Sequence, residues 1–284
     1  MTDHVLAASG RKHRPGAVSL RAGGWSAGIL VGLSLLGRLV LPDPNSQDLS
    51  AGFQPPLSPG HPLGTDMLGR DLLAWCARGV TTSLSIAAAV VLISALSGVL
   101  VGAVAGYAGG WTDSVLMRIV DLQLAVPPLL IFLAASAVIE PSVTSMIVLL
   151  ASVGWVPYAR LVRARVLVER ERGYIAAARL AGARTVSILF GHLVPASATP
   201  ITVFASLHVG FVILSEAALS FIGIGLQPPT VSLGFMIAQG RDQLAGAWWI
   251  VTMPGVVIVM LIVAANLIGD GLRDRFRLDT GETL

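Results

Sequence analysis

The sequence predicts an all-α fold, a polytopic membrane bundle of about six transmembrane helices. Three observations predict it. The 284 residues are 54% hydrophobic and only 12% charged, with a mean hydropathy of +0.78, whereas a soluble domain carries roughly 25% charged residues. The apolar residues fall in continuous runs instead of alternating, which selects helices of about 20 residues over barrel strands of about 10. The basic residues gather in three segments that an even number of spans places on one side of the membrane.

Residues 1–24 are polar and basic, with Arg11, Lys12, Arg14 and Arg21, and read as a cytoplasmic tail. Residues 25–78 hold a first span, 25–41, and an extracytoplasmic loop. Pro42, Asp43, Pro44 and Asn45 follow that span where a signal peptide would have a small-residue cleavage site, so an uncleaved helix is expected. Arg38, near its far end, is expected to snorkel to the interface. The loop from 42 to about 78 is broken by Pro55, Pro56, Pro59, Gly60 and Pro62.

Residues 79–284 read as the main membrane domain. A second span over 83–106 carries Ser94, Ala95, Ser97, Gly98 and Gly102, small residues that suit close helix packing. Gly109, Gly110 and Trp111 turn into a third span, 114–139, where Pro127 and Pro128 are expected to kink the helix. Glu140 and Pro141 make a turn into a fourth span, 143–161. A fifth runs over 198–224 and a sixth over 248–268, with Pro228 and Pro229 in the connection between them. Between the fourth and fifth lie seven arginines, at 160, 163, 165, 170, 172, 179 and 184, against Glu169 and Glu171. With six spans this stretch, the N-terminus and the C-terminus share a side, which the positive-inside rule makes cytoplasmic. A five-span reading without residues 25–41 would put the N-terminal basic cluster outside.

Several chemistries are excluded. Cys76 is the one cysteine, so an internal disulfide and a cysteine zinc site are both impossible. His4, His13, His61, His192 and His208 include no pair four apart, which removes the metalloprotease helix. The one lysine, Lys12, stands between Arg11 and His13, so the chain has no Walker A loop and no catalytic residues are assigned. The net charge of +3 is accounted for by topology, and no nucleic-acid partner is expected.

Inside the spans, Arg118 and Asp121 are three apart on one helix and are expected to pair. Glu216 and His208 lie within the fifth span. With Asp121 they are candidates for pathway or gating roles, the alternatives being a helix-locking carboxylate and a histidine hydrogen-bonded to a neighbour.

The most specific pattern lies in the arginine-rich loop, 162–197. Residues 174–182 read Y-I-A-A-A-R-L-A-G, and His192, Leu193, Val194 and Pro195 follow at a fixed distance. The residues predict a short helix ended by Gly182 and a second short segment ending before Pro195. This resembles the coupling loop of ABC importer permeases, an E-A-A followed by glycine and then a hydrophobe and proline. The family's glutamate falls at Ala176 in this sequence. The segments L-G-T-D-M-L-G-R-D at 63–71, A-G-Y-A-G-G-W-T-D at 105–113, E-A-A-L-S-F-I-G-I-G-L-Q-P-P at 216–229 and N-L-I-G-D-G-L-R-D at 266–274 are similar to C-type subunits of dipeptide and oligopeptide permeases.

The resemblance implies a type I ABC importer permease fold in a bacterial inner or plasma membrane, with both termini cytoplasmic. It implies an ATPase-coupling role for Tyr174, Ala176, Ala177, Ala178, Gly182, His192 and Pro195. The implied partners are a homologous second permease subunit, ATPase subunits that use ATP and Mg, an extracytoplasmic binding protein and a peptide substrate. No cofactor or metal is expected on this chain. Two alternatives stay open: a nickel or other small-solute permease of the same family, and a proton-coupled secondary transporter with Asp121 or Glu216 as the carrier.

Overall fold

The computed structural model describes residues 15–279. Residues 1–14, half of the basic tail read from the sequence, and 280–284 lie outside the described residues, as does the side chain of Arg38. The main elements are α1 (Pro15–Val40), α2 (Leu72–Ala108), α3 (Gly110–Ala125), α4 (Pro128–Ser136), α5 (Val143–Glu169), α6 (Gly173–Leu180), α7 (Thr185–Ile188), α8 (Val194–Ala196), α9 (Ala198–Ile222), α10 (Leu233–Gly240) and α11 (Trp249–Asp279). Among the described residues β structure is limited to two isolated bridges, Ser58 with His61 and Thr65 with Asp71.

Four helices, α2, α5, α9 and α11, are long and apolar enough to cross a membrane. The pair α3 and α4 meets the same test as one bent element, and α1 contributes the shorter apolar stretch Ala22–Gly37. The bundle therefore has about six crossing elements, as the hydropathy of the sequence requires. Residues 137–142, α10 and the long α1–α2 connection lie at one end; the arginine-rich segment and the end of α11 lie at the other.

Several boundaries differ from the hydropathy reading. The second span begins at Leu72, because the Asp71 carboxylate accepts the Ala74 N–H at 2.8 Å and caps the helix. The apolar threshold is crossed later, but Leu72 and Trp75 are already fully buried. Helix α5 continues past 161 to Glu169, where Arg165 and Glu169 pair one turn apart. The connection between the fifth and sixth spans folds into α10, capped by the Ser232 hydroxyl accepting the Phe235 N–H. The third span is interrupted more severely than a kink: α3 and α4 meet at 78°. Pro127 and Pro128 have no N–H to give to the carbonyls of Gln123 and Leu124, and the residue before each is held extended.

The closest helix pair is α2 on α5. Gly98, Gly102 and Gly106, spaced four apart, form its seam. A Cβ at Gly98 would lie 2.4 Å from the Trp155 carbonyl oxygen, and one at Gly102 would lie 2.3 Å from that of Ala159. Small residues at that spacing let two backbones touch, which in lipid is a main source of helix affinity. Helix α1 packs along α11, and α11 along α9.

The α1–α2 connection is a folded staple. Gly64 and Gly69 take positive φ, and a Cβ at Gly69 would collide with the Asp48 carbonyl at 1.8 Å. The Asp66 carboxylate accepts Arg70 Nε at 2.5 Å and the N–H groups of Leu68 and Arg70. Arg70 reaches Gln239 on α10 at 2.6 Å and lies over the Trp75 ring at 4.4 Å. Trp249 donates to the Thr65 carbonyl, and Trp75 to that of Ser232. The 63–71 segment thus locks the loop to α2, α10 and α11.

Candidate coupling surface and buried polar locks

Helix α6 holds the residues singled out in the arginine-rich loop. Ile175 is fully buried among Ala103 of α2, Val162 and Val166 of α5, and Ile188, Leu189 and Leu193 of the following segment. That single apolar anchor orients the helix. Tyr174, Ala176, Ala177 and Leu180 are exposed, and Ala178 is half-buried. Leu180 is 90% exposed, and Val186 and Phe190 of the following segment are exposed as well, so this end of the chain presents apolar side chains beside its arginines.

Gly182 ends the helix in the left-handed conformation, φ +82°. Its N–H donates to the Arg179 carbonyl at 3.0 Å and the Ala183 N–H donates to that of Ala178 at 3.0 Å, the two bonds of a Schellman motif. The second segment does not stop before Pro195. It runs from Thr185 through a π-helical turn, Leu189–Leu193, into Val194–Ala196, with Pro195 inside its last turn. The His192 ring lies 6.3 Å from that of Tyr174.

Glu169 fastens α6 to α5. Its carboxylate is 3% exposed and takes Arg165 at 3.0 Å, Arg172 at 3.0 Å and the Tyr174 hydroxyl at 2.9 Å. Burial, and then the bond to this carboxylate, hold the Tyr174 phenol above its ordinary pKa. Around the same end Arg163 grips Asp113 of α3 in a fork at 2.5 and 2.6 Å, Arg170 donates to the Gly106 carbonyl, and Arg179 lies over the Tyr107 ring at 5.3 Å. The 105–113 segment is therefore the joint between α2, α3, α5 and α6.

The polar residues of the spans are distributed differently from one another. Glu216 is 1% exposed, and its carboxylate accepts Ser83 of α2 at 2.9 Å, Ser232 at the start of α10 at 2.9 Å and Ser220 one turn on at 3.1 Å. Ser220 Oγ also accepts the Leu226 N–H. His208 is buried, 3.2 Å from the Tyr158 hydroxyl and stacked on Phe204. Asp121 pairs with Arg160 of α5 at 2.6 Å. The expected partner, Arg118, lies one turn back on the same helix, but the carboxylate reaches the neighbouring helix instead.

A family model described as "Binding-protein-dependent transport system inner membrane component" matches residues 98–278, from the glycine seam of α2 to the end of α11. The chain belongs to this family. Among its relatives, the di/tripeptide transport system permease protein of Pseudomonas aeruginosa (strain UCBPP-PA14) is 42% identical over 212 residues, 75% of this chain and 70% of that protein. The oligopeptide transport system permease protein of Mycobacterium tuberculosis (strain ATCC 25618 / H37Rv) is 42% identical over 233 residues, 80% and 78% of the two chains. The dipeptide transport system permease protein of Haemophilus influenzae is 36% identical over 248 residues, 85% and 84%.

In this multi-pass inner membrane component the candidate residues form two groups and one outlier. Tyr174, Ala176, Ala177, Gly182 and His192 share one end of the bundle with Pro195. Glu216 and His208 face the chain's own interior, from α9 toward α2, α5 and α10. Asp121 stands apart on α3, 57% exposed. In the sequence Glu169 reads as a counter-charge to the arginines; its spacing of four from Arg165 and three from Arg172 is the signal that marks it. The Asp113–Arg163 and Tyr107–Arg179 contacts cross between helices, and no local spacing announces them.

Proposed function

We propose that this chain forms half of the transmembrane pathway of an ATP-driven importer of di- or oligopeptides. The arginine-rich end and both termini lie in the cytoplasm. A homologous second permease subunit completes the pathway, ATPase subunits that bind ATP and Mg seat on α6, and an extracytoplasmic binding protein delivers the peptide. The observation that carries this reading is the exposed apolar surface of Leu180, Val186 and Phe190 beside a helix held to two spans at once. The relatives' names support the peptide cargo, and the excess of arginine at that end supports the orientation.

In this reading the movement travels through named contacts. ATPase closure displaces α6. The Glu169 clamp passes the movement to α5, the Arg179–Tyr107 contact passes it to the α2–α3 turn, and the glycine seam makes α2 and α5 move together. The Glu216 lock ties the far end of α9 to α2 and α10, so that end follows as a unit.

The test is Gly182→Leu. A Cβ there meets no atom within 4 Å, so the substitution acts through the left-handed backbone, at a cost of about 1–2 kcal/mol. Complete transporter carrying the variant is expected to insert and assemble while losing peptide uptake per ATP hydrolysed in proteoliposomes. Wild-type uptake with normal ATPase attachment would remove the coupling role. Uptake that follows a pH gradient with no ATPase present would replace this reading with secondary transport.

A further inference from the structure

Three features of α3, α4 and α5 exclude lipid from one face of this chain. The first is the break at Val126 and Pro127. Residues 124–130 are all exposed, and the carbonyls of Gln123 and Leu124 face two prolines that have no N–H to offer. Unsatisfied backbone groups cost several kcal/mol each in hydrocarbon, so irregular backbone at membrane depth occurs only where protein or water covers it.

The second feature fixes the depth. Gln123 Nε2 donates to the Ser152 carbonyl at 2.5 Å. Ser152 lies about 14 Å along α5 from Val143 at the helical rise, close to half of a core about 30 Å thick. Break and glutamine therefore sit near the midplane, beyond the reach of headgroup water. The third is the Asp121–Arg160 pair on the arginine-rich side of the break, 57% and 53% exposed. Charged side chains within spans face a bundle interior or a water-filled cavity.

Elsewhere the outward side chains form apolar stretches. On α11 the outward residues are Val256, Val259, Met260 and Val263. Glu216 and His208, the other strongly polar groups of the candidate set, are buried in the chain's own core and leave no room for a passing solute.

We propose that the α3–α4 break, with Gln123 and the Asp121–Arg160 pair, is the wall this chain contributes to the water-filled translocation pathway. The homologous permease subunit closes the opposite side. The carbonyls of Gln123 and Leu124 then serve as hydrogen-bond acceptors for N–H groups of the cargo, and the ion pair stands at the cytoplasmic side of them. This rests on the two-subunit pathway proposed above.

The experiment is thiol accessibility in membrane vesicles that contain the complete transporter. Cys76 is buried, so this chain adds little background of its own, and labelling is read on this subunit's band. Val126→Cys, Leu130→Cys and, as the lipid-facing control, Val259→Cys are treated with a charged, membrane-impermeant methanethiosulfonate, which reacts with the thiolate and so needs water at the site. Val126→Cys and Leu130→Cys are expected to react at least about tenfold faster than Val259→Cys. Equal rates at the three positions, or slow reaction at both break positions, would overturn the proposal. The labelling needs no ATP turnover, so its failure leaves the coupling role of α6 standing, and loss of the coupling role leaves the labelling result standing.

Discussion

Glu169→Gln tests whether the buried clamp transmits force. The substitution keeps the side-chain volume and removes the charge that holds three donors. The Tyr174 bond is charge-assisted and worth about 1.5 kcal/mol. Arg165 and Arg172 are 44% and 55% exposed, so water recovers most of what they lose, leaving about 0.5 kcal/mol each. The total of about 2.5 kcal/mol is discounted to about 2 because the amide oxygen still accepts one bond. At 1.4 kcal/mol per tenfold, the population with α6 released from α5 rises about 30-fold.

Hydrogen exchange reads that population directly, since amides of a locally opened helix exchange in proportion to it. Amides of α6 in the Glu169→Gln transporter are expected to exchange up to about 30-fold faster. Those of α5 facing the glycine seam keep wild-type protection. Peptide imported per ATP hydrolysed should fall in parallel. Glu171→Gln is the control, because that carboxylate is 75% exposed and pairs with its neighbour Arg170. If α6 keeps its protection and the transport ratio is unchanged in Glu169→Gln, the clamp is not a mechanical link.

Gly102→Val should separate α2 from α5, since its Cβ would fall 2.3 Å from a backbone oxygen; a loss of about 1–3 kcal/mol should show as a lower Tm in detergent, whereas Gly24→Val, with nothing within 4 Å, should not change it. Glu216→Leu leaves the hydroxyls of Ser83, Ser220 and Ser232 without their acceptor, at about 1–3 kcal/mol for each hydroxyl that stays buried and unpaired. Its Tm should fall further than that of Glu216→Gln, which retains an acceptor, and equal values for the two would contradict the lock. Replacing Pro127 and Pro128 together by alanine returns two N–H groups to the α3 carbonyls. The 78° bend should open toward a straight helix, read as a longer spin-label distance across the break, and peptide uptake should drop; an unchanged distance would show that tertiary contacts, and not the prolines, hold the bend.

Continuous apolar runs and charge bias make the bundle legible in the sequence alone. Continuous apolar runs demand helices because each backbone group must be satisfied within its own segment, and the arginines mark a side through an electrostatic rule that acts on sequence position alone. The short helix α6 and its Gly182 terminus are equally legible, since a Schellman cap is local chemistry. Helix ends governed by polar side chains were less so. Asp71 starts α2 before the hydropathy rises, and Ser232 starts a helix inside what reads as a loop.

Partner choice across helices was decided only by the tertiary structure. Asp121 has an arginine at the proper spacing on its own helix and takes Arg160 instead, because α3 and α5 bring those two groups within 2.6 Å. For Glu216 and His208 the sequence leaves pathway, gating, helix-locking and hydrogen-bonding roles open; the rotation of α9 buries both, Glu216 on three serine hydroxyls and His208 beside Tyr158. A span has several faces, and the hydrophobic run that identifies it is nearly the same on all of them. The face that meets water, lipid or a neighbour is set by packing, through contacts such as the seam of Gly98, Gly102 and Gly106 against α5.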